Sequence, residues 1–338
     1  MEPLIVLQFD LKRAPFCPDT MGDRYRACLD MVRWADQQAV SVVGFSEHHN
    51  TAHGFLSSPL MMAASAASVS SRLRLSVSAL QLPLHDPIRV AEDIAVLDLI
   101  ASGRFTVTLG LGYRELEYRT FGMPWEQRGM IFDQKLEVLL HAMSGEEFDH
   151  QGTPVQLNPI PETDPRSFLF IGGNSRAAAR RAARFKLFFA PAIDDPALKD
   201  LYEEECRDHG FANGFVIFPR EPALTLIAED PDKAWEEVGK YLLYDAVTYA
   251  QWKHKSRRAY AESAADSLDE LRVEGKYAIL SPQEAAEKIA GKGSLNLAPL
   301  CGGMPIDVGW QSLELYANKV VPLLEEISRA GTTDSSVS

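Results

Sequence analysis

The chain is poor in cysteine. Cys17, Cys28, Cys206 and Cys301 are scattered over 338 residues, with no CxxC pair. That excludes a disulfide framework and suits a reducing compartment, so a cytoplasmic protein is expected. Long apolar runs are missing too. No stretch reaches the roughly 18 uninterrupted apolar residues of a spanning helix. The segment after Met1 has no basic region followed by a long apolar one, so no signal peptide is expected. Positive charge is also scarce, with 34 Lys and Arg against 47 Asp and Glu and a net charge of −13. This balance argues against a nucleic acid or an anionic membrane as partner. It leaves room for a local basic patch that binds a phosphate.

What the chain has is regular alternation. Apolar runs fit for buried strands lie at 4–9, 40–46, 73–82, 105–111, 168–171, 187–190, 223–228 and 295–299. Helical spacing or a proline start marks 23–38, 59–70, 87–101, 126–143, 175–185, 195–209 and about 308–327. Residues 148–157 read as a small hairpin around Gln151 and Gly152. Eight strand–helix repeats predict a (β/α)8 TIM barrel, one α/β domain over residues 1–330. A doubly wound sheet is the structural alternative, but it leaves the eighth repeat unexplained. A charged, aromatic-rich segment at about 230–275 is inserted between strands seven and eight and includes Trp235, Tyr241, Tyr244, Tyr249, Trp252 and Tyr260. It reads either as a surface helical hairpin or as a mobile active-site lid, since long insertions are often functional. Residues 331–338 read as a disordered tail.

The chemistry concentrates at the end of the second strand, in Gly44, Phe45, Ser46, Glu47, His48 and His49. The C-terminal ends of barrel strands carry the chemistry of such folds. Histidine there titrates near neutral pH. Three readings are open: a metal site, a structural cluster in which Glu47 orients His48, or a base facing cofactor or substrate. Adjacent residues on a strand point to opposite faces, so His48 and His49 are expected not to share an ion. No metal is expected. Gly110 and Gly112 follow strand four; Glu115 replaces the third glycine of a dinucleotide fingerprint, so the glycines suit close approach of a flat ring. Gly172, Gly173, Asn174 and Ser175 end a strand and open a helix. Such a turn can hold a phosphate on its amides, with Arg176, Arg180 and Arg181 nearby, or it is a plain turn. Gly302 and Gly303 form another glycine loop, read first as a tight turn and second as another phosphate site.

These residues resemble the bacterial luciferase-like flavin monooxygenases and their deazaflavin-using relatives. The resemblance runs through Phe45–Asn50, Ser78–Asp93, Leu97 and Asp98, Ser102–Phe105, Leu109–Gly112, Glu117, Phe121 and Gly122. It continues through Gly172–Ser175 and Val320–Leu324 and covers roughly residues 3–327. It implies a TIM barrel working with reduced FMN and molecular oxygen on a small organic substrate. It also implies a separate flavin reductase and often a homodimer, here on helices 59–70 and 87–101. With the deazaflavin coenzyme F-420 the same barrel would transfer hydride instead. Carried over, His48 is the catalytic histidine, preceded by Glu47. The Ser78–Ala79 bond is a cis peptide under the flavin ring, and Asn174 and Ser175 touch the cofactor phosphate. Gly110 and Leu111 stand where luciferase proper has cysteine and arginine, which removes one phosphate-binding guanidinium. Light emission from a long-chain aldehyde is therefore not implied. Two alternatives differ in kind: a metal-assisted hydrolase using His48, His49, His53 and His85, and a non-catalytic flavin-binding protein.

Overall fold

The computed structural model describes residues 3–219, 224–252 and 263–334. The strands alternate with helices as the apolar runs predict: β1 (Leu4–Phe9), α1 (Met21–Ala35), β2 (Val42–Phe45), α2 (Pro59–Ser68), β3 (Arg74–Gln81), α3 (Pro87–Ala101), β4 (Phe105–Gly110), α4 (Glu115–Thr120) and α5 (Arg128–Ala142). After the hairpin β5 (Phe148–His150) and β6 (Thr153–Val155) come α6 (Pro165–Phe168), β7 (Leu169–Gly172), α7 (Arg176–Arg184), β8 (Phe188–Ala190) and α8 (Pro196–Asp208). The last third holds β9 (Leu224–Ile227), α9 (Pro231–Gln251), α10 (Leu268–Glu274), β10 (Tyr277–Leu280), α11 (Pro282–Lys292), β11 (Ser294–Leu297), α12 (Ile306–Leu315) and α13 (Val321–Asp334). Local chemistry explains the boundaries. Thr20 and Asp23 form a capping box on α1, and Ser281 with Glu284 does so on α11. Proline opens α2, α3, α8, α9 and α11, where its missing N–H costs nothing.

The main sheet is wholly parallel, in the order β10-β9-β11-β1-β2-β3-β4-β7-β8. Consecutive βα units lie side by side, as the expected TIM-barrel architecture requires, and β10 joins the same sheet beside β9. Beyond β8, Phe189 pairs in parallel with Val216. Among the described residues no ladder joins β8 to β9. On β1, Ile5, Leu7 and Phe9 are buried among the helices, while Leu4, Val6, Gln8 and Asp10 face the interior cavity. Each fully buried large apolar side chain of this kind contributes about 1.5–3 kcal/mol. A second apolar cluster joins α9, α10, β9 and β10 to Ala14, Cys17 and Met304.

The insertion is not wholly helical. It contains β10, which pairs in parallel with β9 through Tyr277 and Leu224, followed by α11. The expected last helix is two helices, α12 and α13, joined by a π turn at residues 316–320. α13 runs on to Asp334, into the stretch expected to be a tail; residues 335–338 lie outside the described residues. So do residues 253–262, including Tyr260 of the expected lid.

Candidate active site

β2 delivers His48 to the C-terminal rim, where it is buried at 6% exposure. Its Nδ1 lies 2.9 Å from Glu117 Oε1. Its Nε2 lies 2.9 Å from the Tyr113 hydroxyl. A carboxylate only accepts, so Nδ1 carries the proton and donates it. That leaves Nε2 with a lone pair, which accepts from the tyrosine O–H. Burial pushes the imidazole below its usual range, against its hydrogen bond to Glu117, which raises it. Burial also raises the Tyr113 phenol, so it stays protonated and can donate. Phe55, Tyr113 and Trp252 surround the imidazole with ring centroids at 4.8, 5.1 and 4.7 Å.

Glu117, on α4, is the acid that orients His48. The same Oε1 accepts from the His49 backbone N–H at 2.8 Å and from Arg114 Nη1 at 3.0 Å. Arg114 in turn lies over the Trp252 ring, 4.2 Å from its centroid. Burial would raise the Glu117 carboxyl, but His48 and its other partners hold it below the usual range.

Glu47 serves a different cluster, which corrects the expectation that it orients His48. Its Oε1 lies 2.9 Å from His49 Nε2 and 2.6 Å from His85 Nε2. Its Oε2 accepts from the Gln81 backbone N–H at 2.5 Å. Burial would raise this carboxyl, but the two histidines hold it down at about 2. Glu47, His49 and His85 place one donor atom each within 4.8 Å of one another. As found, those groups satisfy each other by hydrogen bonding. The four-histidine set is not assembled: His48 belongs to Glu117, and His53 makes no hydrogen bond through either ring nitrogen. Burial, then the nearby Lys12 charge, depress His53 to about 4.

The described residues line a cavity of about 1500 Å3 at the concave face of the sheet. His48 lines it, and so does every position expected to hold the cofactor: Ser78, Ala79, Gly110, Gly112, Gly172, Gly173, Asn174 and Ser175. The Ser78–Ala79 peptide is cis, as the resemblance implies. The glycines are needed for space. A Cβ on Gly110 would fall 3.0 Å from Ala79 Cβ, and one on Gly172 would fall 2.9 Å from Thr108 Cγ2. Ser175 caps α7, its hydroxyl accepting from the Ala178 N–H at 3.2 Å. Asn174 Oδ1 accepts from the Ala192 N–H at 2.6 Å. Gly302 and Gly303 do not line this cavity. They pack against the Tyr241 carbonyl and the Ala14 backbone, so they make a close helix-to-loop contact. Of the arginines after the Gly172–Ser175 turn, Arg180 pairs with Glu205 at 2.9 Å and Arg181 with Asp133.

The inserted helix α9 reaches this rim. Asp245 pairs with Lys12, both fully buried, and accepts from the Tyr277 hydroxyl at 2.7 Å. Lys12 Nζ also lies 3.3 Å from Asp10 and 3.9 Å from the centroid of the Tyr249 ring. Burial would lower this ammonium, but Asp10 and Asp245 keep it charged with its pKa raised. The pair fixes α9 to the chain just beyond β1 and sets Tyr249 and Trp252 against the cavity. Nothing in the sequence pattern marks Lys12 as buried.

Comparison with known proteins follows the same outline. The family model described as "Luciferase-like monooxygenase" matches residues 6–295. Curated relatives matched at 29–31% identity are covered over only 32–50% of their own length. The structure is similar to monooxygenase RslO1 of Streptomyces bottropensis, with TM-score 0.74 and 22% identity over 94% of this chain and 99% of that one. It is similar to the oxygenating constituent of 3,6-diketocamphane monooxygenase of Pseudomonas putida in complex with FMN, with TM-score 0.63 and 17% identity over 95% and 99%. It is also similar to an F420-dependent secondary alcohol dehydrogenase, with TM-score 0.66 and 15% identity over 96% and 99%. At these identities the structures speak to the fold. The match of the family model over most of the chain places it in the luciferase-like monooxygenase family.

Proposed function

We propose that the protein is a monooxygenase that uses reduced FMN and molecular oxygen on a small organic substrate. The observation that carries this reading is the cavity itself. It joins one buried, Nδ1-protonated histidine to a floor of Ala79 and glycines and to the Gly172–Ser175 turn. The space above Ala79, Gly110 and Gly172 suits a flat tricyclic ring, and the amides ahead of α7 suit its terminal phosphate. Bound FMN would supply the activation of oxygen. The residues of the chain would bind and orient the ring, exclude water with Phe55, Tyr249 and Trp252, and move a proton at His48 Nε2.

The second reading is hydride transfer with coenzyme F-420, which the F420-dependent neighbour favours. The ion pairs of Arg180 and Arg181 support FMN, because they take away two of the three nearby cations a longer acidic tail would use. Competition for the purified apoprotein tests the choice. Micromolar binding of reduced FMN, weakened about tenfold or more by Ser175→Asp, is expected. Binding of reduced coenzyme F-420 with none of FMN would overturn it.

The same reading includes a cytoplasmic homodimer fed by a separate flavin reductase. Among the described residues no helix is long and apolar enough to cross a membrane. Ala63, Ala66 and Ala67 of α2 are buried within the protomer, so they pack on their own barrel. The dimer face would instead use Met61, 72% exposed, with Val96, Leu99 and Ile100 of α3, which are 41–48% exposed. Sedimentation at micromolar concentration should show a dimer; monomer alone would refute it.

A further inference from the structure

The working nitrogen of His48 is already occupied. Tyr113 donates to Nε2 at 2.9 Å, so no substrate proton can reach this base while that hydroxyl stays in place. Tyr113 follows Gly112, whose backbone is left-handed at φ +70°, and it lines the cavity half-buried. Around the same imidazole stand Phe55, Tyr249 and Trp252, the latter held flat by Arg114. The cavity wall beside Tyr249 and Trp252 is therefore aromatic, and the His48 acceptor within it is engaged by a phenol.

We propose that the organic substrate is a flat hydroxyarene whose ring hydroxyl displaces the Tyr113 hydroxyl from His48 Nε2. The inference rests on the reading of His48 as the base of the site. Exchange of one phenol for another keeps the hydrogen bond and the edge-to-face ring contacts. A phenol acidic enough to protonate this lowered imidazole goes one step further. Its O–H bond breaks, the proton forms the Nε2–H bond, and the imidazolium is balanced by Glu117. The oxygen keeps the electron pair as a phenolate, beside the imidazolium that has taken its proton. A ring carrying O⁻ is electron-rich at carbon, which is what an oxygen-donating cofactor requires of its acceptor. An aliphatic alcohol is too weak an acid to give its proton to imidazole, and an aldehyde has none to give.

The test uses the full-length protein without cofactor and two probes of equal shape, 4-nitrophenol and 4-nitroanisole. Absorbance reports whether bound nitrophenol is ionised. At a pH about one unit below the probe's own pKa, nitrophenol should bind as the phenolate. It should bind about tenfold or more tightly than nitroanisole, which cannot donate a hydrogen bond. Tyr113→Phe removes the competitor and should keep both the phenolate band and the affinity, or tighten it. His48→Asn should abolish the band, with circular dichroism checking its fold. Equal binding of the two probes, or nitrophenol bound as the neutral phenol, overturns the proposal. So does loss of nitrophenol binding in Tyr113→Phe. Titration of the same preparations with reduced FMN separates this outcome from failure of the flavin reading. A protein that binds FMN but treats both probes alike rejects only the hydroxyarene.

Discussion

His48 and His49 are neighbours in the chain but answer to different carboxylates. Glu117 holds His48 through Nδ1 and leaves Nε2 turned to a phenol and the cavity. Glu47 holds His49 and His85 together on one oxygen, and its other oxygen is taken by the Gln81 amide. The first arrangement has one acid, one imidazole and a working end that only a hydroxyl occupies. The second spends every group on another and reads as a knot that fixes β2 to the segment following β3. A carboxylate with a single imidazole can prepare a base, whereas one shared by two imidazoles mainly builds structure.

The sharpest break in this contrast is removal of each imidazole. His48→Asn should lower steady-state turnover by about 100-fold or more, the usual scale of general acid–base catalysis. Affinity for reduced FMN should hold, since the imidazole is not among the groups assigned to the phosphate. His49→Asn should cost turnover less than about tenfold. Equal losses in the two variants would erase the distinction.

Next in size is the stability carried by Glu47. Glu47→Gln leaves two imidazoles without their shared charge and should cost about 1–3 kcal/mol in urea unfolding at neutral pH. The sign of the pH dependence follows from the folded pKa of about 2 against an ordinary 4.5. The contribution is complete above 4.5 and is lost as the pH falls towards 2. Acid unfolding in that window should flatten in the variant. An unchanged acid slope would remove Glu47 from its structural role.

A smaller effect is expected for Glu117→Gln. The amide keeps an acceptor for Nδ1–H but loses the charge that supports an imidazolium. Turnover should drop about tenfold, and the acid limb of its pH profile should move to lower pH, because Glu117 is what raises His48 against burial. A limb that stays put would mean that another group sets it.

Much of this site was legible in the chain. The apolar runs gave the staves, and Glu47, His48 and His49 marked the right rim because strand ends in barrels carry chemistry. Ser78 and Ala79 came from the resemblance, the glycines that close β4 and β7 from their place at strand ends, and all of them line the cavity. The partner of His48 was not legible. Glu47 is adjacent in sequence, but its carboxylate turns to His49 and His85, and the true partner comes from α4, a helix of 6 residues. So short a helix gives too few residues for periodicity to mark a face. The Lys12–Asp245 pair was hidden for a related reason: each looks like an ordinary loop or helix charge until α9 is folded down beside β1. β10 has 4 residues, too few to distinguish a strand from a turn of helix by pattern alone.

The central claim is that Glu117, and not Glu47, prepares His48. Nitrogen-15 NMR of labelled histidine side chains reads it directly, with His48 assigned by its absence in His48→Asn. The account predicts a neutral Nδ1–H tautomer at pH 7, with a pKa below the usual 6.5. It also predicts that Glu117→Gln lowers that pKa further while Glu47→Gln leaves it in place. An Nε2–H tautomer, or a His48 signal that moves with Glu47→Gln and ignores Glu117→Gln, would contradict it.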